Sequence, residues 1–147
     1  SVSWVDSYVI ALGRARSSKA LPALLKKARA LDGKHEFSHF RAVAMALEAI
    51  GDRSAAPVLA ELLDKEGVAG HAIVMGPEIP VVPGYSNAEG DKERTKTLRE
   101  LALARALYRL GDYMGLGERT LKAYAADPRG AYSSHAGMVL AGRRDRE

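Results

Sequence analysis

The chain has 147 residues, of which 47% are hydrophobic and 27% charged, the ordinary balance of one globular domain. It contains no cysteine, which excludes disulfides and thiolate metal sites, and no apolar run reaches the ~20 residues of a membrane helix. The net charge is only +4, so an anionic partner can be indicated only by local clusters of charge.

The first interhelical turn and the second predicted helix carry the most uneven charge of the chain. Residues 14–34 hold seven basic side chains and one acid, a local charge of +6. Such a cluster is typical of a surface that tracks a polyanion such as nucleic acid, although no aromatic residue lies within it to stack on a base. Its candidate partner-binding residues are Arg14, Arg16, Lys19, Lys26 and Lys27.

Residues 35–39 (HEFSH) form a literal H-E-x-x-H motif. On a helix this spacing places both histidines on one face, where they can hold Zn²⁺ while the glutamate acts as a general base. An Asp-Gly-Lys turn precedes the motif and places its first histidine at a helix start, and no third histidine follows at the usual spacing. The metal-site candidates of this zinc alternative are His35, Glu36 and His39; we nevertheless expect no metal and no other cofactor.

The segment from Val68 to Glu93 interrupts the helical pattern with four glycines and three prolines, which exclude a continuous helix. Flexible linkers are polar, whereas this segment has apolar clusters at residues 72–75 and 79–82. We therefore predict a long ordered insertion, about residues 68–94, that packs onto the helices or docks a partner. Its partner-binding candidates are Ile79, Val81 and Tyr85.

A helix enclosed by its neighbours is predicted after the insertion, because residues 98–110 are apolar on almost all sides. Thr97 followed by Glu100 fits a capping box, the signature of a helix start. Farther along, Ser133 or Ser134 is the predicted N-cap of a last short helix over residues 136–140.

Two helical segments repeat each other. Residues 41–52 (RAVAMALEAIGD) align without gaps to residues 101–112 (LALARALYRLGD), and six of the twelve positions are identical. A weaker third copy ends at Gly13, so the spacing from Gly13 to Gly51 is 38 residues and that from Gly51 to Gly111 is 60. The spacings are typical of two-helix repeats with one insertion, and each glycine is predicted to end a helix in the left-handed conformation.

Residues 50–63 contain a helix end, an Ile-Gly-Asp turn, Pro57 near the next helix start and a leucine-rich helix. This order resembles the HEAT-like repeats of the bilin-lyase type, over most of the chain outside the insertion. The resemblance implies an all-α fold, a right-handed α-α superhelix of helical hairpins forming one domain over residues 1–147. Stacked hairpins present long surfaces that suit protein segments better than a reacting small molecule.

A second, weaker resemblance concerns residues 106–118. They are similar to the helical C-terminal region attached to some bacterial FAD-dependent oxidoreductases. This resemblance implies an accessory domain whose flavin chemistry lies elsewhere, because the chain has no strand-Gly-x-Gly-x-x-Gly-helix unit to hold a dinucleotide.

We therefore predict a non-catalytic interaction module that binds a protein partner or a neighbouring domain, without membrane association. The alternatives, in falling order, are nucleic-acid binding through residues 14–34, an accessory domain of a flavoenzyme and a zinc hydrolase. The chain opens on Ser rather than Met, which indicates a processed chain or a piece of a longer protein. We expect a soluble, cytoplasmic location, although the absence of cysteine is compatible with an oxidising compartment as well.

Overall fold

The computed structural model describes residues 4–73 and 87–144, which form seven α-helices and contain no strand. The prediction of an all-α chain is confirmed. Short 3₁₀ turns, Ser18–Ala20 and Arg53–Ala55, lead into the second and fourth helices. The helices are α1 (Trp4–Arg14), α2 (Leu21–Ala30), α3 (Phe37–Ile50), α4 (Ala56–Asp64), α5 (Asn87–Arg109), α6 (Leu116–Ala125) and α7 (Gly130–Arg144).

The helices are arranged in two layers. In the first layer α1 packs beside α3, and α3 packs beside α5, while α2 and α4 pack side by side in the second. Each second-layer helix also contacts the next first-layer helix, α2 against α3 and α4 against α5. At the far end α6 packs between α5 and α7. Successive hairpins therefore stack through both layers, as the repeat pattern predicts.

The two copies of the repeat have the same local structure. Gly51 follows α3 with φ of 75° and Gly111 follows α5 with φ of 99°, so both helices end in the left-handed conformation that glycine adopts freely. The aspartate after each glycine caps the next turn, Asp52 by accepting from the N–H of Ser54 at 2.9 Å and Asp112 from that of Gly117 at 2.7 Å. Matching positions of the copies are buried in the core: Ala44, Ala46 and Leu47 in α3, and Ala104, Ala106 and Leu107 in α5.

Gly13 does not end α1 in a left-handed turn as predicted, because it lies inside the helix. A Cβ atom on Gly13 would lie 2.4 Å from the Cα of Ala46 and 2.8 Å from its Cβ. The glycine is needed here for the close approach of α1 to α3.

The boundaries around the insertion also differ from the prediction. α5 begins at Asn87, so residues 87–93 are helical, and Thr97 and Glu100 lie inside the helix rather than at its start. Likewise α7 begins at Gly130, before Ser133. No helix in the described part of the chain is long and apolar enough to cross a membrane.

Residues 67–73, which open the insertion, are held against α5 by buried polar side chains. The Glu100 carboxylate accepts hydrogen bonds from the backbone N–H groups of Gly70 (2.9 Å) and His71 (3.0 Å). Asp127, in the turn between α6 and α7, accepts from the N–H of Ile73 at 2.8 Å. These contacts therefore fix residues 70–73 against α5 and the turn between α6 and α7, while residues 74–86 lie outside the described part of the chain.

Two buried side chains complete this polar cluster. Tyr124 of α6 donates its hydroxyl to Glu100, and burial, with that hydrogen bond, raises the pKa of Tyr124 above its ordinary range, so the hydroxyl stays protonated. Arg99 donates to the carbonyls of Gly33 (3.1 Å) and Gly67 (2.7 Å), and thereby ties the segments after α2 and α4 to α5.

Candidate functional site

A groove with a volume of about 900 Å³ runs along α1, α3, α5 and α7. Eleven of its eighteen described lining residues are apolar, and they form an apolar floor between charged side chains. Five arginines and one glutamate give this described lining a formal charge of +4. The charged and titratable residues that line it are Arg14, Arg41, Glu48, Arg94, Arg105, Arg129 and His135.

Three of the groove arginines are free to meet a ligand. Arg14, Arg41 and Arg94 belong to α1, α3 and α5, three successive helices of one layer, and all are exposed. Among the side chains that the structure describes, those of residues 4–73 and 92–142, none is a hydrogen-bond or ion-pair partner of these guanidinium groups. Because a guanidinium stays charged and presents five donors, this part of the groove offers unpaired positive charge to an anionic group.

Arg105 and Arg109 of α5 are instead bound to Glu48 of α3. Arg105 Nε lies 3.1 Å, and Arg109 Nη1 3.3 Å, from Oε1 of Glu48. All three side chains are more than a fifth exposed, so solvent screens both ion pairs and they add little to stability. Because they join α3 to α5, their main effect is to align the two helices.

Arg129 is fixed in place at the α7 end of the groove. Its Nε and Nη2 donate to the two carboxylate oxygens of Asp127 at 2.9 and 2.7 Å, and Nη2 also donates to the carbonyl of His71. Burial alone would raise the pKa of Asp127, but hydrogen bonds from Arg129 and from the N–H of Ile73 outweigh it and hold this pKa below its ordinary value. The guanidinium lies 4.7 Å from the ring centre of Tyr132, another lining residue. This end of the groove is therefore rigid.

The charges of Arg105 and Arg109 also affect the pKa of His135 in α7. Burial lowers the pKa of its imidazole, the positive charges of Arg105 and Arg109 lower it further, and Glu48 acts in the opposite direction. His135 is therefore neutral at neutral pH.

We expect the NMR titration midpoint of His135 to lie below the ordinary value of about 6.5, and to rise in Arg105→Gln, which removes one repelling charge. Because the unfolded chain takes up this proton at a higher pH than the folded protein, the free energy of unfolding falls as the pH drops below about 6.5. His135→Gln should remove that part of the pH dependence. A midpoint at or above 6.5, unchanged in Arg105→Gln, would contradict this electrostatic description of the groove.

The structure separates the basic residues that the sequence grouped together. Of the predicted set only Arg14 lines the groove. Arg16 lies in the turn after α1 with φ of 52°, and Lys19 lies in the following 3₁₀ turn. Lys26 and Lys27 belong to α2, which contributes no residue to the groove. The polyanion track of residues 14–34 stays a prediction.

The HEFSH motif does not lie within one helix. Glu36 is the N-cap of α3, so His35 precedes the helix while His39 lies in its first turn. The Nδ1 atom of His35 is 3.1 Å from an oxygen of Asp32, and that of His39 is 2.8 Å from buried Asp6 of α1. No group of three or more potential ligands in the described parts of the chain could hold a metal ion. The geometry on which the zinc alternative depends is therefore not formed by α3.

The candidates in the insertion, Ile79, Val81 and Tyr85, lie outside the described residues. Their predicted role in partner binding is not tested.

The sequence analysis missed most of the groove. In α3 the lining includes Phe37, Arg41, Ala44 and Glu48, and in α5 Arg94, Leu98, Leu101 and Arg105, both with spacings of four, seven and eleven residues. This is one face of a helix, so a stripe that combines apolar and charged side chains was visible in both segments. That signal identifies a helix face, but it does not show that the faces of four helices meet.

Residues 41–65, which cover most of α3 and all of α4, match the family model described as PBS lyase HEAT-like repeat. The match confirms the predicted HEAT-like helical repeat. No curated protein and no solved structure matches the chain significantly. The similarity of residues 106–118 to the helical region of FAD-dependent oxidoreductases stays a prediction.

Proposed function

We propose that this HEAT-like helical repeat protein is a non-catalytic interaction module, and that it holds a segment of a protein partner or of a neighbouring domain in the groove of α1, α3, α5 and α7. The observation that carries the proposal is the composition of the groove, an apolar floor with exposed arginines on three successive helices that have no partner among the described side chains. Protein interfaces commonly combine an apolar centre with arginine and a polar rim.

The repeat architecture supports the same function. Each first-layer helix adds one face to the groove, so a ligand that lies across the helices contacts several repeats at once. Neighbouring packed helices are separated by about 8–10 Å. The three free arginines therefore span on the order of 20 Å, the length of about six residues of extended chain. A short protein segment matches this length better than a small molecule does.

We expect a bulky side chain in the groove to abolish binding. Ala49 lines the groove at the end of α3, and Ala49→Trp would fill part of it, whereas Ala23→Trp places the same side chain on the exposed surface of α2. Twelve-residue peptides selected from a random phage-displayed library against the protein should lose at least about tenfold in affinity for Ala49→Trp. Their affinity for Ala23→Trp should change less than about twofold.

Fluorescence anisotropy of the labelled peptides measures both affinities, and circular dichroism shows that both variants are folded. Equal binding to Ala49→Trp and to the wild-type protein would exclude the groove as the binding surface.

A further inference from the structure

We infer that the segment bound in the groove is acidic, with carboxylates that pair with Arg14, Arg41 and Arg94 and apolar side chains that pack on the floor between them. The inference rests on the proposed function and names the chemistry of its ligand. It follows from charge complementarity, because these three guanidinium groups are exposed and have no partner among the described side chains of residues 4–73 and 92–142.

The arrangement of charge within the groove supports this ligand. Glu48, the one carboxylate among the described lining residues, is already bound to Arg105 and Arg109. Arg129 is likewise bound to Asp127. A ligand therefore meets positive charge that the described part of the protein does not neutralise, and it meets this charge on α1, α3 and α5. An acidic segment gains attraction at each helix, whereas a basic segment is repelled at each one.

The floor of the groove indicates a peptide rather than a nucleic acid. Met45, Leu98 and Ala102 are partly exposed there, and they can take up apolar side chains but offer no hydrogen bond to a base or a sugar. A surface that follows a nucleic-acid backbone extends its row of cations, yet the neighbouring Lys26 and Lys27 belong to α2 and do not line the groove. A segment with both carboxylates and apolar side chains matches both parts of the lining.

The test uses charge reversal with the selected twelve-residue peptides as probes. In the double variant Arg41→Glu/Arg94→Glu we expect the affinity for these peptides to fall at least about tenfold, and to fall similarly when the acidic residues of a peptide are replaced by Gln. Lys26→Glu on α2 is the matched control and should leave the affinity within about twofold. Peptides carrying Lys at the acidic positions should bind the double variant more tightly than the wild-type protein.

The inference is supported if the selected peptides are rich in Asp and Glu, lose affinity for the double variant, and bind that variant more tightly when Lys replaces their acidic residues. Selected peptides that are neutral or basic, and that bind the wild-type protein but not Ala49→Trp, would overturn the inference of an acidic ligand. The proposed function would remain intact, because these peptides would still bind in the groove. Tighter groove-dependent binding of the oligonucleotide dT12 than of any peptide would overturn it in favour of a nucleic acid. If no probe binds in a groove-dependent way, the proposed function fails together with the inference. If Arg41→Glu/Arg94→Glu does not fold, the neutral double variant Arg41→Gln/Arg94→Gln takes its place in the test.

Discussion

Replacing Gly13 with alanine should destabilise the protein by about 2 kcal/mol, the usual cost of overpacking a tight contact. In a helix the same substitution ordinarily raises the free energy of unfolding by about 0.5–1 kcal/mol, so at Gly13 we expect a change of the opposite sign. The reason is the close approach of α1 to α3, where the new Cβ would lie 2.4 Å from the Cα of Ala46. A backbone atom cannot rotate away, so the two helices must separate.

Gly137 is the matched control for this substitution. It lies inside α7, and apart from its chain neighbours and the backbone of its own helix no described atom lies within 4 Å of the position that its Cβ would take. Gly137→Ala should therefore raise the free energy of unfolding by about 0.5–1 kcal/mol. Urea unfolding measures both variants. If Gly13→Ala is as stable as the wild-type protein or more so, α1 does not approach α3 as described.

The same variant should weaken ligand binding, since Ile10 and Arg14 of α1 form one wall of the groove. A shift of α1 away from α3 widens the groove on that side. The stability of the stack and the shape of the groove therefore depend on the same glycine.

Replacing Glu100 with glutamine should lower the free energy of unfolding by about 2–3 kcal/mol. The carboxylate accepts from the backbone N–H groups of Gly70 and His71 and from the Tyr124 hydroxyl. A glutamine offers one acceptor oxygen and a donating NH₂ group, so at least one of these three donors loses its partner on Glu100, which is itself buried. Residues 67–73 are then held less firmly against α5.

Glu118→Gln is the control, because Glu118 is about half exposed and pairs with Lys122 on the surface of α6. Its effect should stay within about 0.5 kcal/mol. Amide hydrogen exchange gives a second measurement, in which Gly70 and His71 should exchange faster in Glu100→Gln and unchanged in Glu118→Gln. Equal stability of the two variants, with both amides still protected, would show that Glu100 does not anchor this segment.

The hairpin architecture could be predicted from the sequence because it depends on local patterns. The left-handed Gly51 and Gly111 and the buried Leu47 and Leu107 follow from helical spacing and from the turn after each helix. Gly13 shows the limit of this reasoning. A glycine after an apolar stripe can serve either a left-handed turn or a close helix contact, and only the tertiary structure distinguishes the two uses.

The polar cluster and the groove could not be predicted for a similar reason. Thr97 and Glu100 have the spacing of a capping box, but the same spacing occurs inside a helix, where Glu100 binds a segment thirty residues earlier in the chain. The groove combines residues from four helices that are far apart in sequence. The sequence pattern shows one face of each helix, while the stacking order determines which faces meet.

The most direct test of the groove as the binding surface is a titration of the ¹⁵N-labelled protein with a selected peptide, followed by ¹H–¹⁵N correlation spectra. We expect the chemical-shift changes to lie on α1, α3, α5 and α7, with large changes at the groove residues Met45, Ala102 and His135. The amides of α2, including Ala23 and Lys26, should change little. Changes confined to α2 and α4, with the groove residues unaffected, would contradict the proposed function.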